Sequence, residues 1–312
     1  MTDTVAAKST IRWLPLLLLV LLGALWGANP VFSKALALND VSPLGVVFWQ
    51  TFGAGILLLV VCLIRRTPLR FGAKYLIYYT FMGIVGIDVS YVVLVFAVEH
   101  LSAGYVSVLV LFSPMLTYVI ALLLRMEKVV ALRAFGIVVG FAGAGVLVIP
   151  EGSLPSPDLL PVALIAFITP LGYAAANVFA DLARPADADN VVLAMGTMFA
   201  AALGTLIAGL IYGSFYPAWQ NFGDTEALLI FFATSTAAAF LLFYVIIVMA
   251  GAVYLGQVGY LVTLFGVGWG MLFFNETQSA WLWAAVALVA VGVAMVNFGK
   301  PKPEPDAGEP QA

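Results

Sequence analysis

The sequence predicts an all-α integral membrane protein, with ten transmembrane helices arranged as two inverted five-helix repeats. Three observations lead to this fold class. The 312 residues are 63% hydrophobic and only 9% charged, with a mean hydropathy of +1.09, whereas soluble domains are about 25% charged. The apolar residues fall into runs of about 20, the length that crosses a bilayer as a helix. The two halves of the chain also repeat polar residues at matching positions.

Ten apolar runs, separated by charged or Gly/Pro-containing turns, define the predicted helices. In chain order they cover residues 13–36, 42–64, 74–98, 102–125, 130–149, 158–182, 190–212, 226–249, 253–274 and 279–298. Helices are favoured because lipid offers no hydrogen bonds to the backbone, and the strands of a membrane barrel would alternate polar and apolar residues. Residues 1–12 are predicted to be a cytoplasmic N-terminal segment. The Pro-rich, polar residues 299–312 are predicted to be a disordered cytoplasmic tail.

Basic residues orient the predicted helices. If the N-terminus is cytoplasmic, every Lys and Arg falls on the inner side except Lys34, which lies near the outer end of the first helix. Cytoplasmic loops carry an excess of Lys and Arg. The sequence therefore predicts that both termini are cytoplasmic.

The internal repeat rests on two shifts that nearly agree. Asn29 in "WGANPVF" falls on Asn177 in "AAANVFA" at a shift of 148 residues, and Glu127 falls on Glu276 at a shift of 149. These shifts predict repeats over residues 13–149 and 150–298. Because five helices is an odd number, the second repeat must enter the membrane from the opposite side. Inverted repeats are the architecture of many transporters, whose substrate sites lie near the midplane between the repeats.

The Trp-Gly-x-Asn-like element at residues 26–29, the Glu after the fourth and ninth helices, and the two five-helix halves together resemble a known family. They look like the EamA branch of the drug/metabolite transporter superfamily, over residues 12–298. Chain length and aromatic content look most like the bacterial aromatic amino-acid exporters, the YddG type. This resemblance implies a secondary transporter in the bacterial inner membrane that exports aromatic or other apolar amino acids or small metabolites by alternating access. It also implies a small-molecule substrate and the lipid bilayer as partners, a monomer and no cofactor.

Two alternatives to this function stay open. The first is a broad drug or nucleotide-related metabolite carrier of the same superfamily. The second is an intramembrane enzyme, although apart from Asp88 the sequence shows no paired carboxylates, Ser/His pair or metal cluster at membrane depth. One Cys, Cys62, and one His, His100, offer no metal site. No feature predicts a nucleic-acid or obligate protein partner.

Three prolines are predicted to kink helices within the membrane. Proline has no N–H and crowds the carbonyl one turn earlier, so Pro30, Pro114 and Pro170 should interrupt the first, fourth and sixth helices. The functional hypothesis is that these helices present freed carbonyls and the polar side chains Asn29, Ser113, Thr169 and Asn177 to a central cavity, where Trp26 and its freed carbonyl touch the substrate. The alternative is that Pro and Gly are simply common in membrane helices and that the amides tie helices together.

Further candidates for substrate binding are polar or aromatic side chains on the other helices. Asp88 places a carboxylate near the centre of the third helix, where it would bind a substrate amine, relay a proton or brace a neighbouring helix. Side chains that could stack on or hydrogen-bond to a planar substrate are Tyr78, Tyr91, Tyr173, Phe240, Tyr244, Gln257, Tyr260 and Thr263.

Three charged residues near helix ends are predicted to be structural. Glu127 and Glu276 each precede a helix, whose N-terminal dipole favours a negative charge. Lys34 is predicted to extend its ammonium to the membrane interface. The small residues in "GFAGAG" at 140–145 are predicted to allow close helix packing.

Overall fold

The computed structural model describes residues 3–149, 154, 156–220, 222–255 and 258–298. Every regular element in this described part is helical. In chain order these are α1 (Asp3–Gly27), α2 (Asn29–Ala37), α3 (Pro43–Ile64), α4 (Ala73–Phe81), a π-helical segment (Met82–Val89), α5 (Ser90–His100), α6 (Ala103–Val110), α7 (Ser113–Leu123), α8 (Ala131–Val148), a 3-10 turn (Pro157–Leu159), α9 (Leu160–Ala166), α10 (Ile168–Ala183), α11 (Asn190–Ile211), α12 (Asp224–Leu255), α13 (Val258–Phe274) and α14 (Ala280–Phe298).

These elements form ten helical spans in the described residues, and nine of them are long and apolar enough to cross a membrane. The tenth, α13, is apolar but has 17 residues. The all-α membrane fold is therefore confirmed. The inverted relation of the two halves stays a prediction.

The boundary between the eighth and ninth spans differs from the prediction. The eighth helix was predicted to end at residue 249 and the ninth to begin at 253, but α12 continues to Leu255. The reason is that residues 250–255 contain no Pro or charge that would stop an apolar helix. The following helix begins at Val258, and residues 256–257 lie outside the described part.

Each of the three spans that carry a predicted kink is interrupted beside its proline. The helix breaks fall at Ala28, Leu111–Phe112 and Phe167, within three residues before Pro30, Pro114 and Pro170. A new helix tolerates proline in its first turn because the first N–H groups have no helical partner. A further interruption, the π-helical segment, was not predicted. Whether the chain hinges at the prolines stays a prediction.

Glycines allow the closest helix crossings in the bundle. A Cβ on Gly292 of α14 would come within 2.6 Å of the carbonyl oxygen of Gly136 and 2.8 Å of the amide nitrogen of Gly140, both on α8. A Cβ on Gly143 would likewise come within 2.7 Å of the Val289 side chain. The small residues at 140–145 therefore pack α8 against α14, as the sequence predicts.

Buried apolar clusters fill the spaces between the helices, whereas large apolar side chains cover the outside of the bundle. Leu63, Ile64, Leu123, Ile149 and Leu210 are among those that are more than half exposed. Such a surface is unfavourable in water but suits the hydrocarbon core of a bilayer.

Candidate functional site

A narrow gap lies between three helices that are far apart in the sequence. Asn29 and Ser33 on α2, Tyr91 and Leu94 on α5, and Phe232 on α12 line this gap. The gap has no room for a water molecule, whereas pockets that enclose drug-sized ligands measure roughly 300–1,000 Å³. It nevertheless combines the amide, hydroxyl and apolar groups that a small polar ligand would need.

Local helix geometry places the lining residues in register. The break at Ala28 restarts the helix at Asn29, so that Asn29 and Ser33 lie one turn apart on one face of α2. Tyr91 and Leu94 are likewise three residues apart near the start of α5. The interruption of the first span and the end of the π-helical segment thus lie beside the gap.

Tyr91 joins the polar side of the gap to α10. Its ring lies at 90° to the ring of Tyr173, with 5.9 Å between the ring centroids. Asn29 and Tyr173 are both within hydrogen-bonding reach of the Tyr91 hydroxyl. Asn29, Tyr91 and Tyr173, which are all candidates predicted from the sequence, therefore lie close together in the structure.

An aromatic pair continues along α12 from the gap. The Trp26 ring meets the edge of the Phe240 ring at a centroid distance of 6.1 Å. Phe240 lies eight residues after Phe232, which is about two helical turns on the same face. The predicted candidates Trp26 and Phe240 thus contact each other, on the face of α12 that also borders the gap.

Tyr78 does not lie with this group. It stacks on Phe179 with 6.0 Å between the ring centroids, in a buried cluster that includes Tyr75 and Tyr79. Tyr78 precedes Tyr91 by 13 residues in one span, which corresponds to roughly 20 Å along a helix. Tyr78 and Tyr91 therefore do not line the same site.

The candidates on α13 pack toward other helices. The Thr263 hydroxyl donates to the carbonyl oxygen of Ser107 on α6 at 3.3 Å and to that of Gly259 at 3.2 Å. Tyr260 packs against a cluster of buried apolar side chains from α6, α14 and neighbouring helices. Neither residue lines the gap. The predicted candidate Gln257 lies outside the described residues, and so does the side chain of Tyr244.

Ser113 and Asn177 belong to a separate polar contact between α7 and α10. The Asn177 amide donates to the Thr117 hydroxyl at 3.3 Å, and that hydroxyl donates to the Ser113 carbonyl oxygen at 2.8 Å. Asn177 is exposed. This geometry favours the alternative in which the amide ties two helices together.

The structure gives Lys34 and Glu276 partners that the sequence did not predict. The Lys34 ammonium lies 2.6 Å from the Glu276 carboxylate, and its position at the membrane interface stays a prediction. The same carboxylate accepts hydrogen bonds from the amide nitrogens of Ala103 at 2.9 Å and Gly104 at 3.2 Å. Glu276 therefore caps α6, whose N-terminus lies 173 residues earlier, and not the helix that follows it. Tertiary packing brings α6 closer to the carboxylate than α14.

Glu127 forms a different kind of contact. Its carboxylate accepts a hydrogen bond from Arg133 at 2.9 Å, and the Arg133 guanidinium lies 3.5 Å from the centroid of the Tyr118 ring. Arg133 is buried, so the carboxylate compensates its charge. This pairing is structural, as the sequence predicts, but its partner is a side chain in the first turn of α8.

A third ion pair joins α4 to the loop between α10 and α11. The Lys74 ammonium lies 2.8 Å from the Asp187 carboxylate, which also accepts a hydrogen bond from the Tyr75 hydroxyl. The bond from Lys74, followed by that from Tyr75, lowers the pKa of Asp187 to about 2. Both charged side chains are more than half exposed, so this contact contributes little to stability.

Three lining residues were not among the candidates selected from the sequence: Ser33, Leu94 and Phe232. Helical spacing could have found each of them, because Ser33 follows Asn29 by four residues, Leu94 follows Tyr91 by three and Phe232 precedes Phe240 by eight. Within the described part of the chain, no three His, Cys, Asp or Glu side chains come together in a group that could hold a metal ion.

Comparisons with known proteins agree with this architecture. Residues 13–149 match the EamA-like transporter family. An "Uncharacterized transporter YvbV" from Bacillus subtilis (strain 168) is 34% identical over 131 residues, so that the chain spans 42% of that relative's length and the match covers 42% of the chain.

A solved structure titled "Crystal structure of protein" aligns with a TM-score of 0.60 at 18% identity, over 90% of this chain and 96% of that one, which shows the fold alone. Neither name bears on aromatic amino acids, so the narrower resemblance stays a prediction. The family match favours transport over the intramembrane-enzyme alternative. Residues 13–149 are therefore similar to the EamA-like transporter family.

Proposed function

We propose that this protein is a secondary transporter that exports aromatic or other apolar amino acids by alternating access. The family match over residues 13–149 supports transport. The sequence repeat supports a second half of the same kind, inserted in the opposite direction. Together these features would place the substrate between the halves, near the middle of the membrane.

The gap between α2, α5 and α12 is the single observation that carries the proposed substrate class. Asn29 and Tyr91 offer an amide and a phenol to the amino and carboxylate groups of an amino acid. Phe232 and Leu94 offer apolar surface to its side chain. The gap would have to widen to hold an aromatic amino acid, and the helix breaks at Ala28 and Phe167 are places where the flanking helices could bend.

The test is an efflux assay with the purified full chain in liposomes loaded with labelled phenylalanine or tryptophan. We expect saturable efflux by the wild-type protein. Tyr91→Phe and Asn29→Ala each remove a hydrogen bond to a charged substrate group, worth about 1.5–3 kcal/mol. Such a loss should raise the KM for efflux by roughly 10- to 100-fold.

Tyr105→Phe is the matched control for this assay. It removes a tyrosine hydroxyl from the same bundle, but that hydroxyl donates to the Leu147 backbone carbonyl at 3.3 Å and lies away from the gap. Its KM should stay within about twofold of the wild-type value. Absence of wild-type flux for every amino acid would refute the proposed substrate class, and equal effects of Tyr91→Phe and Tyr105→Phe would refute the proposed site.

A broad drug or nucleotide-related carrier is the competing proposal within transport. It predicts that solutes without an amino-acid backbone compete for labelled phenylalanine as strongly as tryptophan does. An amino-acid site predicts that deleting the amino or the carboxylate group abolishes competition, because buried polar groups of the site would lose their partners.

We also propose a bacterial inner-membrane location with both termini cytoplasmic and a single chain as the working unit. The distribution of Lys and Arg supports this orientation. Cysteines introduced next to Lys8 and Lys302 should react with membrane-impermeant reagents only after the cells are opened. Labelling of either cysteine in intact cells would contradict the proposal.

A further inference from the structure

Asp88 is a buried carboxyl group that the proposed substrate site does not use. It lies in the π-helical segment, a little past the middle of the 28-residue span Ala73–His100. The residue is 8% exposed, and neither of its carboxyl oxygens has a hydrogen-bond partner among the described residues. A buried polar group without partners is rare in native proteins and needs a physical explanation.

The carboxyl group packs against the bare backbone of α11. A Cβ on Gly204 would collide with Oδ2 of Asp88, so only glycine leaves room for the carboxyl at this position. Gly83, on the same π-helical segment, also approaches α11, where its Cβ would lie 2.8 Å from the amide nitrogen of Ala201. Two glycines thus bring the segment and α11 together around Asp88.

Among the described residues, no Lys or Arg side chain pairs with Asp88 to compensate a negative charge. The elements packed on the segment are α10 and α11, together with α4 and α5 of its own span. Helix α11 has no titratable residue, and the titratable residues of the other three are Tyr173 and Asp181 on α10, Lys74, Tyr75, Tyr78 and Tyr79 on α4, and Tyr91, Glu99 and His100 on α5.

Lys74 and His100 lie at opposite ends of the span, and the Lys74 ammonium pairs with Asp187. An ionised carboxylate in this position would be both unpaired and at membrane depth, which is costly. The packed arrangement therefore favours the protonated, uncharged form of the Asp88 carboxyl group.

The two sides of the π-helical segment are held differently. On the α10 side, the Thr169 hydroxyl donates to the Ser90 carbonyl oxygen at 3.0 Å, and the Ser90 hydroxyl donates to the Val85 carbonyl oxygen at 3.2 Å. On the α11 side, the contact consists of glycine backbone, apolar side chains such as Ile84 and Ala200, and the unpartnered carboxyl. Separation of the segment from α11 would break no described hydrogen bond of Asp88, and it would admit water to the carboxyl group.

We propose that Asp88 is a proton-carrying site of this transporter. It holds a proton while the π-helical segment is packed on α11 at Gly204, and it releases that proton to water entering from one side of the membrane when the two elements separate. It then takes up another proton from water on the opposite side before the elements pack again, so that each cycle moves one proton across the membrane. This inference rests on the proposed transport function. It adds the ion that couples transport and the place where that ion binds.

Infrared spectroscopy of the reconstituted full chain tests the proton independently of transport. A protonated carboxyl group has its own C=O stretching band, distinct from that of a carboxylate. We expect this band at neutral pH in the wild-type protein, its loss in Asp88→Asn, and its retention in Asp181→Asn, the matched control at an exposed position on α10. An unchanged band in a folded Asp88→Asn protein would overturn the proposal.

Gly204→Ala provides a second variant that keeps Asp88 itself. The added methyl group pushes the carboxyl away from α11 and should admit water, so the band should disappear at a lower pH than in the wild type. Gly268→Ala is its control, because a Cβ there meets nothing within 4 Å. If Asp88→Asn fails to fold, an unchanged titration in Gly204→Ala overturns the proposal.

Flux in liposomes with a clamped membrane potential tests the coupling. With one proton per solute, a gradient of one pH unit changes the steady-state accumulation ratio of phenylalanine by about tenfold. Asp88→Asn should lose this tenfold effect and carry phenylalanine only down its own gradient. Retention of the pH effect in Asp88→Asn would overturn coupling at Asp88. Absence of wild-type flux, with the infrared band intact, would instead refute the proposed transport function and leave the proton site established.

Discussion

Replacing Glu276 by Gln removes the negative charge from a cluster that joins three separate parts of the bundle. The Glu276 carboxylate contacts the Lys34 ammonium at the end of α2 and the first two amide groups of α6. It also accepts a hydrogen bond from the Gln278 amide at 3.2 Å. Gln has nearly the same shape, so the substitution tests the charge and not the packing.

The expected loss of stability can be worked out from these contacts. Removing one partner of a buried ion pair costs about 3–5 kcal/mol, and a negative charge at a helix N-terminus contributes about 0.3–1 kcal/mol. The Glu276 side chain is 7% exposed but that of Lys34 is 20% exposed, so the ammonium can recover part of its hydration. We therefore expect Glu276→Gln to cost about 2–3 kcal/mol after this discount.

Thermal unfolding of the protein in lipid nanodiscs measures this loss. A cost of this size should lower the Tm on the order of 5 °C. Lys34→Met tests the same contact from the other side, and the double variant with Glu276→Gln should be more stable than the sum of the single effects by at least about 1 kcal/mol. Asp187→Asn, which removes a carboxylate from an exposed lysine pair, should leave the Tm almost unchanged.

An unchanged Tm in Glu276→Gln would refute the assignment of Glu276 as a buried cap of α6. Strict additivity of the two substitutions would show that Lys34 and Glu276 do not interact. Equal losses in Glu276→Gln and Asp187→Asn would show that burial does not determine the cost.

Two further predictions concern helix packing and a surface charge. Gly292→Ala should lower the free energy of unfolding by about 1–3 kcal/mol, because its Cβ would lie 2.6 Å from the Gly136 carbonyl oxygen. The same unfolding assay measures this loss, and Gly268→Ala, the control, should be neutral or stabilising. Equal effects of the two substitutions would contradict the close crossing of α8 and α14. The Asp187 carboxyl should titrate in NMR with a pKa of about 2, so its ion pair stabilises the fold above about pH 4 and is lost as the pH falls through 2. Lys74→Met should raise that pKa toward the ordinary 3.8, and an unmoved pKa would exclude the pairing.

Most of the fold could be predicted from local features of the sequence. The length and apolarity of each run determine whether it crosses a bilayer, because every backbone polar group must be satisfied within the helix. The helix breaks beside Pro30, Pro114 and Pro170 follow from the missing N–H of proline. The π-helical segment at 82–89 was not predictable in this way, because no residue in it is a helix breaker comparable to proline. It is held between α10 and α11 by packing.

The candidate site was predicted less completely. Selecting polar and aromatic residues at membrane depth found Asn29, Tyr91 and Tyr173, which the structure brings together. The same selection included Tyr78 and Thr263, which face other helices. Composition and spacing show which face of a helix a residue occupies, but they do not show which neighbour that face meets.

The sequence by itself determined that this protein is a bundle of apolar helices, where several of them break, and which residues are anomalous in lipid. Only the tertiary structure decided the partners: Glu276 with the start of α6, Asn29 with Tyr91, and Asp88 with the bare backbone at Gly204. The physical reason lies in the range of the interactions. Hydropathy and proline geometry act within one helix, whereas these contacts join residues up to 173 positions apart and depend on how each helix is rotated and packed.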